Sequence, residues 1–336
     1  MKKTICLLLA LLLTASLLTG CGPNIDTTHP KNAERSIVAT IFPIADWVWH
    51  VLGDQADKWS ITVLEDNGAD LHSYQPTAED MIQVADCDLF LCVGGESDKW
   101  VDDALNNGGK PERRALKLIE KLGSAAVTEE LVEGMEAEEE EEEEGPAFDE
   151  HIWLSVKNAA ILCQVLADTL SEIDPEHASS YAEASKAYIE QLNALDQRFE
   201  EMAANAFHDT VVCADRFPFR YLMDDYHINY YAAFLGCSAE SEASFETVVF
   251  LAGKVDELNL HGVIQTETSD GKLSHTVLDN CESKEHCVIF TLDSIQSGKV
   301  GYSPGGSPEP FYPDYLSIME NNLDLLSGAL NAGRED

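Results

Sequence analysis

Five side chains of metal-ligand type stand where short apolar runs end in this 336-residue chain. His72 lies in the loop after the run 60–64, within Gly68-Ala69-Asp70-Leu71-His72-Ser73-Tyr74-Gln75-Pro76. His151 sits in Asp149-Glu150-His151-Ile152-Trp153-Leu154, just ahead of a helical pattern. Asp215 follows the run 210–214, Glu267 follows 262–266 and Asp293 follows 287–291. Imidazole nitrogens combined with carboxylate oxygens make a mixed shell that suits zinc and is tolerated by manganese. A histidine ligates as the neutral ring, so affinity should fall as protons compete below histidine's ordinary ~6.5. A carrier saturates its ion, whereas an open coordination position makes a Lewis-acid catalyst. No HExxH motif is present to place a catalytic base beside two ligands on one helix.

The elements that must position these residues alternate. Runs 37–41, 60–64 and 88–93 read as strands, with helical patterns at 46–52, closed by Gly53, and at 157–171. Thr77 with Asp80 three residues on reads as a helix start. A second set follows: strands at 210–214, 228–232, 262–266 and 287–291, helices at 219–225, 244–258 and 272–280, and a closing helix at 313–330. This predicts an α/β fold of two Rossmann-like lobes with parallel sheets. Residues 175–205 contain no glycine and no internal proline, with Asp174 as cap and Pro175 at the first helical position. They predict one rigid helix of ~45 Å joining the lobes. Ligands of open α/β sheets bind outside the carboxyl ends of the strands, which puts the five polar residues in the interdomain cleft. The expected organisation is a lipoprotein signal peptide 1–20, a tether 21–35, an N-terminal lobe 36–173 with an acidic loop 136–145, a linking helix 174–206 and a C-terminal lobe 207–332.

Composition narrows the partners. Sixty-one acidic against 21 basic residues give a formal charge of -40, which repels phosphate backbones and excludes nucleic-acid binding through a basic face. Such a surface concentrates cations. The chain opens with Lys2 and Lys3 and an apolar stretch 5–18 too short to span a bilayer comfortably, ending in Leu18-Thr19-Gly20-Cys21. That ending resembles a lipobox, so Cys21 is expected to carry lipid and hold the protein to the cell membrane on its extracytoplasmic face. Of the nine cysteines, Cys281 and Cys287 bracket a polar stretch that a disulfide could close, while Cys87 and Cys92 read as buried thiols. Seven consecutive glutamates at 138–144 read as a solvated loop, either a plain linker or a weak cation collector.

These motifs together resemble the solute-binding proteins that deliver zinc or manganese to ABC importers. Ile37-Val38-Ala39-Thr40-Ile41-Phe42-Pro43, continuing to Gly53-Asp54, is similar to that family's opening strand and helix. Residues 68–76 match the loop of its first histidine ligand, and 149–154 with Asn158-Ala159 match the second, which assigns those roles to His72 and His151. Phe219-Arg220-Tyr221-Leu222 resembles the segment just after the third ligand. Thr291-Leu292-Asp293-Ser294 resembles the strand end that supplies an aspartate, and 315–323 the last helix. The resemblance implies two α/β lobes on one long helix with the metal buried between them. It also implies an acidic or histidine-rich loop near the second histidine; here that loop is nearly pure glutamate.

The resemblance puts Arg216 where the family has histidine or glutamate, and arginine has no lone pair to offer. The expectation is therefore that Asp215, one residue earlier, completes the shell with His72, His151 and Asp293. Arg216-Phe217-Pro218 would absorb the offset, because proline holds Phe217 extended. Arg216 would then pair with Glu267 or Glu242, and Glu267 would orient a histidine. The alternative for Asp215 is a helix cap. The function expected is a monomeric lipoprotein, not an enzyme, that binds Zn2+ (Mn2+ second) and hands it to an ABC permease membrane subunit. The competing readings are a metal-dependent surface hydrolase and an adhesin with a degenerate metal site.

Overall fold

The computed structural model describes residues 33–65, 71–106, 108–136, 147–238, 242–296 and 313–334. Cys21 with the signal segment before it, residues 68–70 and the glutamate run 138–144 lie outside the described residues.

Two four-stranded parallel sheets organise the chain. The first half runs β1 (Arg35–Ala39), α1 (Phe42–Leu52), β2 (Trp59–Val63), α2 (Ala78–Asp86), β3 (Leu89–Cys92), α3 (Trp100–Asn106), β4 (Arg114–Lys117) and α4 (Ile119–Leu122). Helices α5 (Val156–Ile173) and α6 (Ala178–Asn205) lead to the second half. It comprises β5 (Thr210–Phe217), α7 (Arg220–Asp225), β6 (Asn229–Leu235), α8 (Phe245–Glu257), β7 (Gly262–Thr266), α9 (Lys272–Asp279), β8 (Val288–Leu292) and α10 (Tyr315–Asn331). The strand orders β2-β1-β3-β4 and β6-β5-β7-β8 are the same pattern used twice. In each, the chain reverses direction across the sheet beside its first strand, the place where open α/β sheets form a ligand crevice.

Local chemistry explains most elements. β3 is Leu-Phe-Leu-Cys, buried throughout, as a strand covered on both faces must be. Thr77 and Asp80 form the expected reciprocal cap of α2: Asp80 N–H donates to Thr77 Oγ1 (3.2 Å) and Thr77 N–H to Asp80 Oδ2 (2.7 Å). Asp314 caps α10 by accepting from Ser317 N–H at 2.8 Å. β4 escapes the sequence pattern because it is an edge strand, Arg-Ala-Leu-Lys, whose charges blunt an unpaired edge.

The linking helix differs from expectation at its start. Pro175–His177 form a 3-10 turn, and the α-helix begins at Ala178. Asp174 does not cap it. Its carboxylate accepts instead from the Tyr181 hydroxyl (2.7 Å) and faces His177 Nδ1 (2.8 Å). The 28-residue helix, ~42 Å long, buries Tyr181, Ser185, Tyr188, Leu192, Leu195 and Phe199, spaced four and three apart on one stripe. That stripe packs on α1 and α5 of the first half and on α10 of the second. Trp47 on α1 meets Tyr315 on α10 edge to face, ring centroids 5.3 Å apart. The halves thus share one continuous core.

Cys87 and Cys92 are buried thiols, as expected. Cys281 and Cys287 are free: the first donates to the Val277 carbonyl (3.3 Å), the second to that of Ser283 (3.6 Å). Among the described residues no helix is long and apolar enough to cross a membrane.

Candidate metal centre

Short 3-10 turns deliver both histidines. His72 rides on Leu71–Ser73, and His151 immediately precedes Ile152–Leu154. The second turn is pinned from the opposite half of the molecule. The Tyr221 hydroxyl on α7 donates to the Asp149 carbonyl (3.1 Å), and the Tyr315 hydroxyl on α10 to the Trp153 carbonyl (2.7 Å). The Trp153 indole N–H returns a bond to the Ser294 carbonyl, just past β8, at 2.8 Å. Aromatic residues with polar tips hold the loop because each fills the core and satisfies a backbone group at once.

The partners of each ring settle its tautomer. Asp149 Oδ1 lies 2.9 Å from His151 Nδ1 and accepts the His151 backbone N–H as well. A carboxylate only accepts, so Nδ1 carries the proton and Nε2 the lone pair. Around His72, Ser97 Oγ donates to Glu150 Oε2 (2.5 Å) and therefore accepts from His72 Nδ1–H at 2.9 Å. Glu150 is buried, but hydrogen bonds from His72 and Ser97 outweigh that burial and hold its carboxyl below the usual range. His72 Nε2 then also presents a lone pair. The two Nε2 atoms are 3.3 Å apart, and His151 has no exposed surface. Two acceptors face each other, the His151 side fully buried and the His72 side partly so. Two nitrogens bonded at 2.0–2.1 Å to one tetrahedral zinc stand about 3.3–3.4 Å apart.

A third donor joins the two rings. Cys237, just past β6, offers Sγ so that it and a nitrogen from each histidine all lie within 4.8 Å of one another. Among the described residues this is the metal-ligand group that forms. Gly236 makes it possible, since a Cβ there would come within 2.8 Å of His151 Cε1. Burial first, then the charges of Glu129, Asp149 and Glu150, push the Cys237 thiol well above its ordinary range, so without a cation it stays protonated.

The other expected residues go elsewhere. Asp215 lies inside β5, which runs three residues further than the apolar pattern suggests. A bulge between Cys213 and Arg216 sets three β5 steps against two on β6. The Asp215 carboxylate accepts from Arg216 N–H (2.8 Å), Thr266 N–H (3.1 Å) and Thr266 Oγ–H (2.8 Å), tying β5 to the end of β7. It neither joins the histidines nor caps a helix. Arg216 donates to the Ser238 carbonyl (3.4 Å), beside Cys237, while Glu242 is exposed. Glu267 accepts from Ser294 N–H (2.7 Å) and Oγ–H (2.8 Å), so it shapes the turn whose carbonyl holds Trp153 and reaches His151 only through that chain. Asp293 accepts from Ile295 N–H at 2.7 Å and is clamped by Asn322. Burial raises both carboxyls, and for Glu267 the charge of Asp293 adds to it.

Cys237, Asp149, Glu150 and Ser97 carry roles that the sequence pattern did not assign. For Cys237 the only local signal is a Gly-Cys pair closing a strand, and that strand runs to Leu235 where the pattern ended at 232.

The fold and the histidine motifs have relatives. A family model described as ZnuA, the periplasmic component A of the zinc-uptake complex, matches residues 37–329. The zinc-binding lipoprotein AdcA of Streptococcus pneumoniae serotype 4 is 27% identical over 331 residues, covering 96% of this chain and 60% of that protein. The chain therefore spans about 60% of that relative's length. The manganese ABC transporter substrate-binding lipoprotein scaA of Streptococcus gordonii is 28% identical over 340 residues, 98% of this chain and 99% of its own. Among solved structures, the Zn(II)-bound ZnuA-like domain of Streptococcus pneumoniae AdcA has the same fold, with a TM-score of 0.66 at 24% identity over 88% of this chain and 99% of that one. Because the match runs across both halves, from β1 into α10, the chain belongs to the ZnuA family of zinc-uptake components.

Proposed function

We propose that the protein captures a divalent transition metal between His72 and His151 and delivers it to an ABC permease, with zinc the first cargo and manganese the second. One observation carries this reading: a buried imidazole and a half-buried one, each with Nδ1–H tied to an acceptor, aim Nε2 lone pairs at one point from 3.3 Å apart. Neutral rings so placed repel unless a cation or proton sits between them. The zinc- and manganese-named relatives support the same cargo class. The burial of His151 favours a carrier over a metal-dependent hydrolase, which needs an open, wet coordination position. Gly301-Tyr302-Ser303-Pro304-Gly305 has the GxSxG spacing of serine hydrolases, outside the described residues. Pro304 lacks the backbone N–H that such an elbow supplies to its oxyanion hole.

Titrating the chelator-stripped protein with zinc tests the reading. One equivalent should bind saturably and raise the melting temperature by several degrees. At free zinc a thousandfold above Kd the stabilisation is about 4 kcal/mol. No saturable binding and no shift would reject a carrier role.

Lipid attachment at Cys21 is part of the same proposal, because delivery to a permease benefits from confinement to its membrane. The lipoprotein names of AdcA and scaA support it. A Cys21→Ala protein is expected in the soluble fraction or unprocessed, read by fractionation and immunoblot. Normal processing with full membrane retention would refute the anchor.

A further inference from the structure

We infer that Cys237 is a thiolate ligand of the captured metal, joining His72 and His151 in its shell and selecting zinc over manganese. The inference rests on the metal-capture reading and adds a donor that neither the family resemblance nor Asp215 supplies. Its geometric basis is the grouping of Cys237 Sγ with the two histidines inside 4.8 Å. Local construction points the same way. β6 runs straight into Gly236, where a Cβ would stand only 2.8 Å from His151 Cε1, so the missing side chain is what lets the strand end pass beside the ring. The turn is then closed by Ser238 N–H donating to the Leu235 carbonyl (3.3 Å) and braced by Arg216 on the Ser238 carbonyl (3.4 Å).

Arg216 thus fits the site as a support for the cysteine's turn, which accounts for a cation so close to a cation site. Asp215 is already engaged by Thr266 and its own neighbour's N–H, so it does not compete with the sulfur for the ion.

The chemistry follows from the donor. On binding, the S–H bond breaks, the proton leaves to solvent and a metal–sulfur bond forms, the metal keeping its oxidation state. Thiolate is soft and binds zinc far better than manganese, whereas an all-N/O shell separates the two less.

Cobalt(II) substitution of the full chain reads the sulfur directly, since thiolate-to-cobalt charge transfer gives a near-ultraviolet band that nitrogen and oxygen ligands lack. The parent should show it at one equivalent. Cys237→Ser should lose it, bind zinc about 100-fold or more weakly, and narrow its zinc-over-manganese preference; Cys287→Ser should keep all three properties. Cys237→Asp should bind manganese better than Cys237→Ser. A parent that binds cobalt and zinc tightly without the band, or a Cys237→Ser protein with parental zinc affinity, overturns the thiolate and leaves the carrier reading standing. A parent that binds no metal overturns both.

Discussion

His151→Ala is expected to weaken zinc binding by well over 100-fold. His151 Nε2 is one of the two facing lone pairs, and its ring is buried and held by Asp149 through Nδ1. Disturbing only the group that orients a metal-bound histidine typically costs 10–100-fold in affinity, so deleting the ligand must cost more. Asp149→Asn supplies that smaller step and preserves side-chain volume. It removes the negative charge behind the ring and lets an amide NH2 compete with the accepting oxygen at Nδ1, and its effect should fall in the 10–100-fold range. Competition against a chromophoric chelator measures both. Circular dichroism checks that the buried vacancy left by the alanine has not unfolded the chain. Parental zinc affinity in His151→Ala would remove the centre as described.

The second large effect lies away from the metal, where α1 meets α6. Asp46 is fully buried; the Tyr188 hydroxyl donates to its Oδ2 (3.2 Å) and His50 Nε2 stands 3.7 Å away. Burial, then the charge of Asp314, raises the Asp46 carboxyl to about 8. Burial lowers His50 to about 4. For Asp46 the folded protein keeps a proton that the unfolded chain gives up near 3.8, so its contribution is whole at low pH and is lost as pH climbs towards 8. For His50 the unfolded chain takes up a proton near 6.5 that the folded one refuses until about 4, so stability is lost as pH falls through that window. The two slopes oppose each other below about 6.5, and above it the Asp46 slope acts alone.

The parent should therefore lose somewhat under about 2 kcal/mol more than Asp46→Asn between pH 6.5 and 8, from a slope of about 1.36 kcal/mol per pH unit that falls to half as the pH reaches 8. Urea melts at the two pH values give the difference. Parallel behaviour of parent and variant would show that Asp46 is already ionised in the folded protein.

Much of this molecule is written in short stretches. Alternating apolar runs and helical patterns mark two α/β halves, because buried parallel strands and amphipathic helices each have a period set by their own backbone geometry. The capping box at Thr77 and the uninterrupted helix leading to Asn205 are likewise local, each readable within a few turns of chain. The strings around His72 and His151 stand out for the same reason, being contiguous. What brings those two rings together across 79 residues, and sets Cys237 beside them, is not local. A one-residue bulge in β5 decides which way Asp215 and Arg216 point, and a strand register depends on its neighbour rather than on its own sequence. Glu267 and Asp293 end strands as the pattern says, yet Ser294 claims the first carboxylate and the Ile295 N–H the second, since a half-buried carboxylate binds whichever donors the packing brings within 3 Å. Residue types narrowed the chemistry to a divalent cation; register, close backbone approach and competition for donors chose the atoms that face it.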